Sequence, residues 1–359
     1  MKKLLLVDYY GICDEEGKPI GHSPKVLREY CDLAEDKYIV GAALSPCLVN
    51  TAGDGFGNIF KLKYDIRGYG RKGLPERIAD KLKLFYNIHQ VLKIKDYDII
   101  WFYRTDFFLF FYFSLIKKRN KKIIGLVYHE AFGRGTLGGI LNYLYRKGAL
   151  KFDGLIYTQK GMADFHPNTI YIPDYYYSRE KYQKYEQAEK KEKVVCPGTM
   201  TPYKKLEETV DAFNDNGIEL EIKGHFYNKG RFHNLLKTKK ENIVIEDVIL
   251  SEEEYYRMIA EAKYCILPYD MEQYVNRTSG ILQECVFLNT APIAPAKLLN
   301  ENGIYGIGYE AISDLGTKWA EMTSIEVDNS KVLREYDRAN IQKRLVRFLE
   351  QSNMPEGLM

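Results

Sequence analysis

The sequence predicts an α/β protein built from two doubly wound parallel-sheet domains. In both halves of the chain, short apolar runs typical of buried parallel strands alternate with stretches of helical periodicity. The chain has 359 residues, whereas a single hydrophobic core usually stops growing near ~250 to 300 residues. A charged segment, residues 175–193, separates the two series. We therefore place a first domain at residues 1–178, a linker at 179–192 and a second domain at 193–330.

The first domain is predicted to start with a buried strand at residues 4–7. Ser23 as N-cap and Pro24 at the first helical position then begin a helix that ends near residue 33. The same alternation predicts the later strands at 38–44, 99–103, 123–128 and 154–157 and the helices at 74–93 and 107–116. Glycine-rich loops follow several of these strands, and in such sheets ligands bind outside the carboxyl ends of the strands.

The second domain repeats this pattern. Strands are predicted at 194–196, 218–223, 243–248 and 264–267, and helices at 205–214, 252–262, 281–288 and 331–350. Ser279 or Thr278 can cap the third of these helices, and Gly280 lets a ligand approach the backbone closely. The start of a helix offers free N–H groups and a positive dipole end, so this turn is a candidate anion site. An ordinary strand–loop–helix unit explains the same residues equally well.

Composition and cysteine spacing exclude some classes of protein. Apolar residues make up 45% and charged residues 28%, with a net charge of +3, as in a globular protein without a nucleic-acid partner. The cysteines show no CxxC pair and no histidine at ligand spacing. This pattern is typical of reduced thiols in a cytoplasm and argues against a structural zinc.

Two apolar segments raise the question of a membrane. The first apolar run is cut short by Asp8, before it reaches the ~7 to 15 residues of a secretion signal. Residues 107–116 are too few to span a bilayer, which takes ~20 residues. We predict that they form a core helix. The alternative is a helix at a membrane surface, because a basic cluster at 117–122 follows it.

Two motifs of the second half resemble those of a known family. Pro197-Gly198 after a strand, then Lys204 and a helix ending near Ala212-Phe213, is one of them. A strand ending at Pro268, followed by a glycine-containing turn and helix up to Glu284, is the other. Both are similar to motifs of retaining GT-B glycosyltransferases of the family 4 type (glycosyl transferases group 1). The resemblance implies two Rossmann-like domains facing each other across a cleft, with a C-terminal helix at about 331–352 packing back on the first.

The resemblance also implies roles for individual residues. Lys204 would contact the donor diphosphate, Glu284 would hold the ribose hydroxyls, and the backbone at Ser279 and Gly280 would meet the phosphates. Gly21 lies in the first loop, and Gly224 and Val248 lie beside the nucleoside and base. The implied donor-binding set is Gly21, Gly198, Thr199, Lys204, Gly224, Val248, Arg277, Thr278, Ser279, Gly280 and Glu284.

The chain departs from the family pattern at two positions. Thr199 stands where the family has a basic residue, and Arg277 beside the turn could replace that phosphate contact. Asn276 stands where the family has the first glutamate of its pair, and it can hydrogen-bond a sugar hydroxyl. His129, followed by Glu130, comes after a strand as the family's histidine near the donor sugar does. His129, Glu130 and Asn276 are the implied catalytic residues.

The implied activity is that of a metal-independent, retaining hexosyltransferase. The donor would be a nucleotide sugar, UDP- or GDP-linked, and no cofactor or metal is implied. The acceptor would be a saccharide or a lipid-linked saccharide in surface polysaccharide synthesis, met in the cytoplasm or at the inner membrane face. Two alternatives stay open, a nucleotide-sugar epimerase of similar fold and a non-catalytic descendant that binds a glycan or nucleotide.

Overall fold

A computed structural model describes residues 1–13, 17, 23–50, 55–67, 73–117, 121–128, 135–160, 166–272, 274 and 279–351. The chain forms two compact units. The first unit is Met1–Asp174 together with Ala339–Met359, and the second is Tyr175–Arg338. No helix among the described residues is both long enough and apolar enough to cross a membrane.

The first unit is an α/β domain with a parallel sheet. Its strands are β1 (Lys2–Asp8), β2 (Ile12–Cys13), β3 (Tyr38–Leu44), β4 (Ile59–Lys61), β5 (Ile66–Arg67), β6 (Ile99–Phe102), β7 (Lys122–Val127), β8 (Gly154–Tyr157) and β9 (Thr169–Tyr171). Seven of the described strands form one parallel sheet in the order β4-β3-β1-β6-β7-β8-β9, and β2 pairs with β5. The helices are α1 (Ser23–Ala34), α2 (Pro46–Val49), α3 (Leu74–Lys93), α4 (Phe107–Leu115) and α5 (Gly135–Ala149).

Helix α4 belongs to the core of this unit. Leu109, Phe110 and Phe113 are buried, and Phe110 packs edge-on against Phe152 with ring centroids 5.1 Å apart. Asp106 caps the helix by accepting a hydrogen bond from the Leu109 N–H at 2.9 Å. The predicted core helix is therefore confirmed.

The second unit is built in the same way. Its strands are β10 (Lys191–Pro197), β11 (Leu220–Gly224), β12 (Ile243–Asp247), β13 (Ala262–Ile266), β14 (Ala291–Pro295) and β15 (Ile307–Tyr309). Its helices are α6 (Arg179–Tyr182), α7 (Leu206–Asn216), α8 (Lys229–Thr238), α9 (Glu252–Ala260), α10 (Gly280–Phe287), α11 (Ala296–Asn302), α12 (Ser313–Thr317), α13 (Trp319–Thr323) and α14 (Ser330–Glu335). The strand order β12-β11-β10-β13-β14-β15, all parallel, is the order of a dinucleotide-binding Rossmann sheet. The predicted class, α/β with two parallel sheets, is confirmed.

The segment predicted as a linker, 179–192, differs from the expectation because its tyrosines pack like apolar residues. Tyr182 and Tyr185 are buried. The Tyr182 ring lies 5.2 Å from that of Phe287, and the Tyr185 ring lies 5.8 Å from that of Tyr256. Each tyrosine buries a large apolar ring while its hydroxyl can reach a polar partner. The segment is therefore part of the second unit rather than an exposed connector.

The C-terminal helix predicted at 331–352 is broken into two. Helix α14 ends at Glu335, and α15 (Arg338–Glu350) belongs to the first unit. The break occurs where the backbone pairs with Tyr177, whose N–H donates to the Tyr336 carbonyl at 2.7 Å and whose carbonyl accepts from the Arg338 N–H at 2.9 Å. These bonds replace helical ones, because a backbone group that leaves the helix needs another partner.

Candidate functional site

The candidate site lies at the carboxyl edge of the second sheet, where the strand order reverses between β10 and β13. Lys204 is in the loop after β10 and is only 3% exposed. Its ammonium group donates to the carbonyl of Pro197, the last residue of β10, at 3.0 Å. The Lys204 backbone forms an antiparallel bridge with Tyr269, just after β13. One buried cation therefore lies at the point where sheets of this kind bind ligands.

Two glycines set the shape of the loops around this point. Gly198 has φ +89, a left-handed conformation that favours glycine. A Cβ at Gly224 would stand 1.6 Å from the Gly198 carbonyl oxygen, so the loops after β10 and β11 touch through their backbones. The Val248 N–H donates to the Gly224 carbonyl at 3.2 Å, which joins the loop after β12 to the same edge. Thr199 is exposed beside Gly198.

Helix α10 starts at this edge as predicted, but the side-chain position of its first residue is already filled. Ser279 is the N-cap, and its hydroxyl accepts from the Leu282 N–H at 3.4 Å and lies 3.2 Å from the Tyr269 hydroxyl. A Cβ at Gly280 would stand 2.2 Å from the ring of Tyr175. The open side of Gly280, predicted to admit a ligand, is thus filled by an aromatic ring of the same unit.

Glu284 is a buried carboxylate with two tyrosine partners. It is 2% exposed, and it accepts hydrogen bonds from the Tyr255 hydroxyl at 2.6 Å and the Tyr256 hydroxyl at 3.4 Å. Burial, and then the negative charge of Glu284, raise the pKa of both tyrosines. Both hydroxyls therefore stay protonated and donate to the carboxylate.

Lys204 and Glu284 both affect the pKa of one buried thiol, that of Cys265. Burial raises the pKa of Cys265 on β13, and a hydrogen bond with Cys285 raises it further. The positive charge of Lys204 lowers this pKa and the negative charge of Glu284 raises it. Both charged groups therefore influence one thiol, although they are far apart in the sequence.

Arg231 holds the loop that carries Lys204, and it was not predicted. From α8 it donates to the Thr201 carbonyl at 3.0 Å and the Lys204 carbonyl at 2.6 Å, and it pairs with Glu207. The Glu207 carboxylate has its pKa lowered chiefly by this hydrogen bond. No local motif marks Arg231, because its contacts lie in the loop after β10 and in the first turn of α7. The tyrosines on Glu284 were missed for the same reason.

Several predicted site residues lie outside the described part of the chain. They are Gly21, His129, Glu130, Asn276, Arg277 and Thr278. The described candidates Gly198, Lys204, Gly224, Val248, Ser279 and Glu284 are at or near one edge of the second sheet.

One cavity among the described residues does not lie at the carboxyl edge of the second sheet. Its volume is about 360 Å³, and it opens near the amino ends of β13 and β14, lined in part by Lys190, Asn289 and Thr290. The Lys190 ammonium donates to the Leu288 carbonyl at 3.0 Å and the Thr290 hydroxyl at 2.8 Å. Burial lowers the pKa of Lys190 to about 8. We assign the site to the carboxyl edge instead, because Lys204 and the start of α10 lie there and sheets of this kind bind ligands at that edge.

The fold is that of the GT-B glycosyltransferases, with two Rossmann-like domains. The chain is similar to a sucrose-phosphate synthase from Thermosynechococcus elongatus, with a TM-score of 0.67 and 12% identity over 98% of this chain and 99% of that one. It is similar to a glycosyltransferase involved in avilamycin A biosynthesis, with a TM-score of 0.60 and 12% identity over 97% of each chain. The GT-B fold predicted from the motifs is therefore confirmed.

A third similar structure is an α,α-trehalose-phosphate synthase (UDP-forming) from Burkholderia xenovorans in complex with glucose-6-phosphate. Its TM-score is 0.63, with 11% identity over 97% of this chain and 100% of that one. The sequence matches no protein-family model and no curated protein.

Proposed function

We propose that this protein is a glycosyltransferase that moves a sugar from a nucleotide-sugar donor to an acceptor with retention of anomeric configuration. The observation that carries the proposal is the burial of Lys204 and Glu284 in the two segments that follow β10 and β13, the strands at the switch point of the second sheet. A cation for the diphosphate and a carboxylate for the ribose are the two groups that donor binding requires.

The chemistry follows from these groups. As the glycosidic bond to the nucleotide breaks, negative charge grows on the leaving diphosphate. A buried ammonium and the amides at the start of α10 stabilise that charge without reorganising. The acceptor hydroxyl attacks from the same face, and the departing phosphate oxygen takes its proton. Lys204 and α10 supply the charge stabilisation, so the proposed reaction does not depend on a metal.

Donor binding requires Glu284 to change partners. In the structure its carboxylate is bonded to the Tyr255 hydroxyl at 2.6 Å. The ribose would take over this place, exchanging one hydroxyl donor for another at little net cost. Arg231 keeps the Lys204 loop fixed during the exchange, because it binds two carbonyls of that loop.

We infer that the donor is UDP- or GDP-linked and that the acceptor is a saccharide, a sugar phosphate or a lipid-linked saccharide. A UDP-forming enzyme bound to a sugar phosphate is among the similar structures, which supports the first two acceptor classes. Work in the cytoplasm or at the inner membrane face, in surface polysaccharide synthesis, is part of the same proposal. The partial burial of α4 argues against membrane contact, because Phe110 and Phe113 pack inside the unit.

A nucleotide-binding protein without activity is the second candidate. Thr199 stands where the family pattern has a basic residue, so the loop after β10 has one cation fewer. A ligand on Glu284 must also replace its hydrogen bonds with both tyrosines. Binding of a nucleoside diphosphate without turnover would favour this candidate.

The test is a transfer assay with UDP-, GDP-, ADP- and dTDP-sugars, with and without saccharide and sugar-phosphate acceptors. We expect acceptor-dependent release of nucleoside diphosphate from at least one donor, a product of unchanged anomeric configuration, and full activity after magnesium is chelated. Isomerisation of the donor without an acceptor would identify an epimerase. Absence of turnover with every donor would contradict the proposal.

A further inference from the structure

Two cysteines and an aspartate of the first unit converge at one point. Cys13 lies on β2, Cys47 lies in α2 after β3, and Asp65 directly precedes β5. Their sulfur atoms and one carboxylate oxygen lie within 4.8 Å of one another. Cys13 is 4% exposed, whereas Cys47 and Asp65 are half-buried, so the point can be reached from solvent.

The backbone fixes this convergence. Strand β2 pairs in parallel with β5, and the Ile66 N–H donates to the Gly11 carbonyl at 3.1 Å. The Cys47 N–H donates to the Asp65 carboxylate at 2.9 Å, which aims that side chain at α2. Hydrogen bonds thus hold three separate segments of the chain at the same place.

Gly11 is needed for the close approach. Its φ is +41, and a Cβ there would stand 2.2 Å from the Cβ of Ser45 and 3.3 Å from the Asp65 carboxylate. Any larger residue would push the loop that leads to Cys13 away from Ser45 and Cys47. A backbone this constrained holds its side chains in a fixed array, as metal ligation requires.

We propose that Cys13, Cys47 and Asp65 bind a zinc ion. Two thiolates and a carboxylate are a ligand set that suits this borderline-soft ion, and three protein ligands leave a fourth position for water or a bound group. Tetrahedral zinc, with bonds of ~2.3 Å to sulfur and ~2.1 Å to oxygen, holds its ligand atoms roughly 3.5 Å apart. The three atoms already lie within 4.8 Å of one another, so side-chain rotation can bring them to this spacing while the backbone stays in place.

This site shares no residue with the donor-binding and catalytic sets given for glycosyl transfer. It also differs from the sequence-based expectation that the cysteines do not bind zinc. That expectation rested on spacing, and the ligands come from three loops that only the folded sheet brings together.

The experiment is a titration of the reduced, chelator-stripped protein with Co²⁺ and then Zn²⁺. We expect one Co²⁺ per chain, with a thiolate-to-metal charge-transfer band and the visible bands of tetrahedral cobalt, both removed by one equivalent of Zn²⁺. Cys47→Ser should weaken Zn²⁺ binding by more than about 100-fold, since even outer-shell partners contribute 10–100-fold. Asp65→Asn should weaken it less and keep the charge-transfer band.

Two controls make the result decisive. Cys31→Ser removes a thiol bonded to the Gly55 carbonyl, outside the proposed site, and should bind Co²⁺ like the wild type. Thermal melts of metal-free Cys47→Ser should match metal-free wild type, which shows that the variant is folded. Binding that survives in Cys47→Ser, absence of any one-to-one binding, or a Cys13–Cys47 disulfide in place of a metal complex would each overturn the proposal.

Discussion

At the scale of single residues, Lys204 and Glu284 differ from surface charges. Both are nearly fully buried, and each has partners that satisfy it: a strand-end carbonyl for Lys204 and two tyrosine hydroxyls for Glu284. Burying such groups is unfavourable unless they are hydrogen-bonded, so these partners offset much of the cost of burial. The residue types at these positions could be predicted from the motif. Their partners could not, because they come from distant elements.

Asp174 is another buried ionisable residue, and its effect on stability has a definite pH dependence. Burial raises the pKa of its carboxyl from 3.8 to about 8. One of its oxygens has no hydrogen-bond partner among the described residues. Its charge also helps to raise the pKa of Tyr30 and of Tyr128, both of which are raised chiefly by burial.

We expect the free energy of unfolding to fall as pH rises from 4 to 8. In this window the folded state keeps the Asp174 proton that the unfolded state has lost, so stability decreases by up to about 1.4 kcal/mol per pH unit from this group. Asp174→Asn should remove this slope and raise stability at pH 8. Urea unfolding at several pH values measures both the slope and the stability at pH 8. A variant with the same slope as the wild type would show that Asp174 does not titrate there.

At the scale of elements, the loops after β10 and β11 depend on their glycines. The Gly224 Cβ position lies 1.6 Å from the Gly198 carbonyl oxygen, a contact with backbone that no rotamer change can relieve. We expect Gly224→Ala to cost about 3 kcal/mol in unfolding free energy, at the upper end of typical overpacking costs. Donor binding should weaken as well, since both loops belong to the site.

Gly139→Ala is the matched control for this substitution. Gly139 lies within α5, and a Cβ there meets no atom within 4 Å. An alanine in a helix interior is worth about 0.5 to 1 kcal/mol over glycine, so this variant should be more stable than the wild type. Urea unfolding measures the free energy of unfolding of both variants. Equal effects of the two substitutions would contradict the close approach of the loops.

The N-cap serines of α9 and α10 allow an effect on stability to be distinguished from an effect on ligand binding. Ser251 and Ser279 each accept a hydrogen bond from the third residue of their helix. We expect Ser251→Ala and Ser279→Ala each to cost about 1 kcal/mol in stability. Only Ser279→Ala should also weaken nucleoside diphosphate binding, because α10 alone starts at the predicted phosphate turn. Calorimetric titration of both variants with a nucleoside diphosphate measures this binding. An equal loss of affinity in both variants would contradict the placement of α10 in the site.

Elements with a strong periodicity were predictable, and those defined by tertiary contacts were not. Strand β3 and helix α3 have the predicted bounds because turn residues and apolar spacing mark both ends. The segment at 179–192 was predicted as a linker, since the packing of Tyr182 and Tyr185 has no local signal. The break between α14 and α15 depends on Tyr177, which lies far away in the sequence.

At the scale of the whole molecule, both units have parallel sheets whose strand order reverses beside the first strand of each unit. The alternation of strands and helices predicted this architecture, because buried parallel strands leave long apolar runs in any sequence. The placement of Lys204 at one reversal point and of the Cys13 group near the other could not be predicted from alternation. Strand order is set by tertiary packing, and the ligands of each site come from several loops.

The central claim is that the second unit binds a nucleoside diphosphate through Lys204 and Glu284. Thermal shift and calorimetric titration with UDP, GDP, ADP and dTDP test it most directly, because a ligand that binds only the folded state raises the melting temperature. We expect a shift with at least one of them. Loss of a charge-assisted hydrogen bond should cost about 1.5 to 3 kcal/mol, so Lys204→Ala should bind roughly 10- to 150-fold more weakly.

Lys205→Ala is the control, since the neighbouring lysine is half-exposed and pairs with Glu208 on the surface. It should bind like the wild type, whereas Glu284→Ala should lose binding together with Lys204→Ala. A wild-type shift that survives in both Lys204→Ala and Glu284→Ala, or no shift with any of the four nucleotides, would contradict the claim.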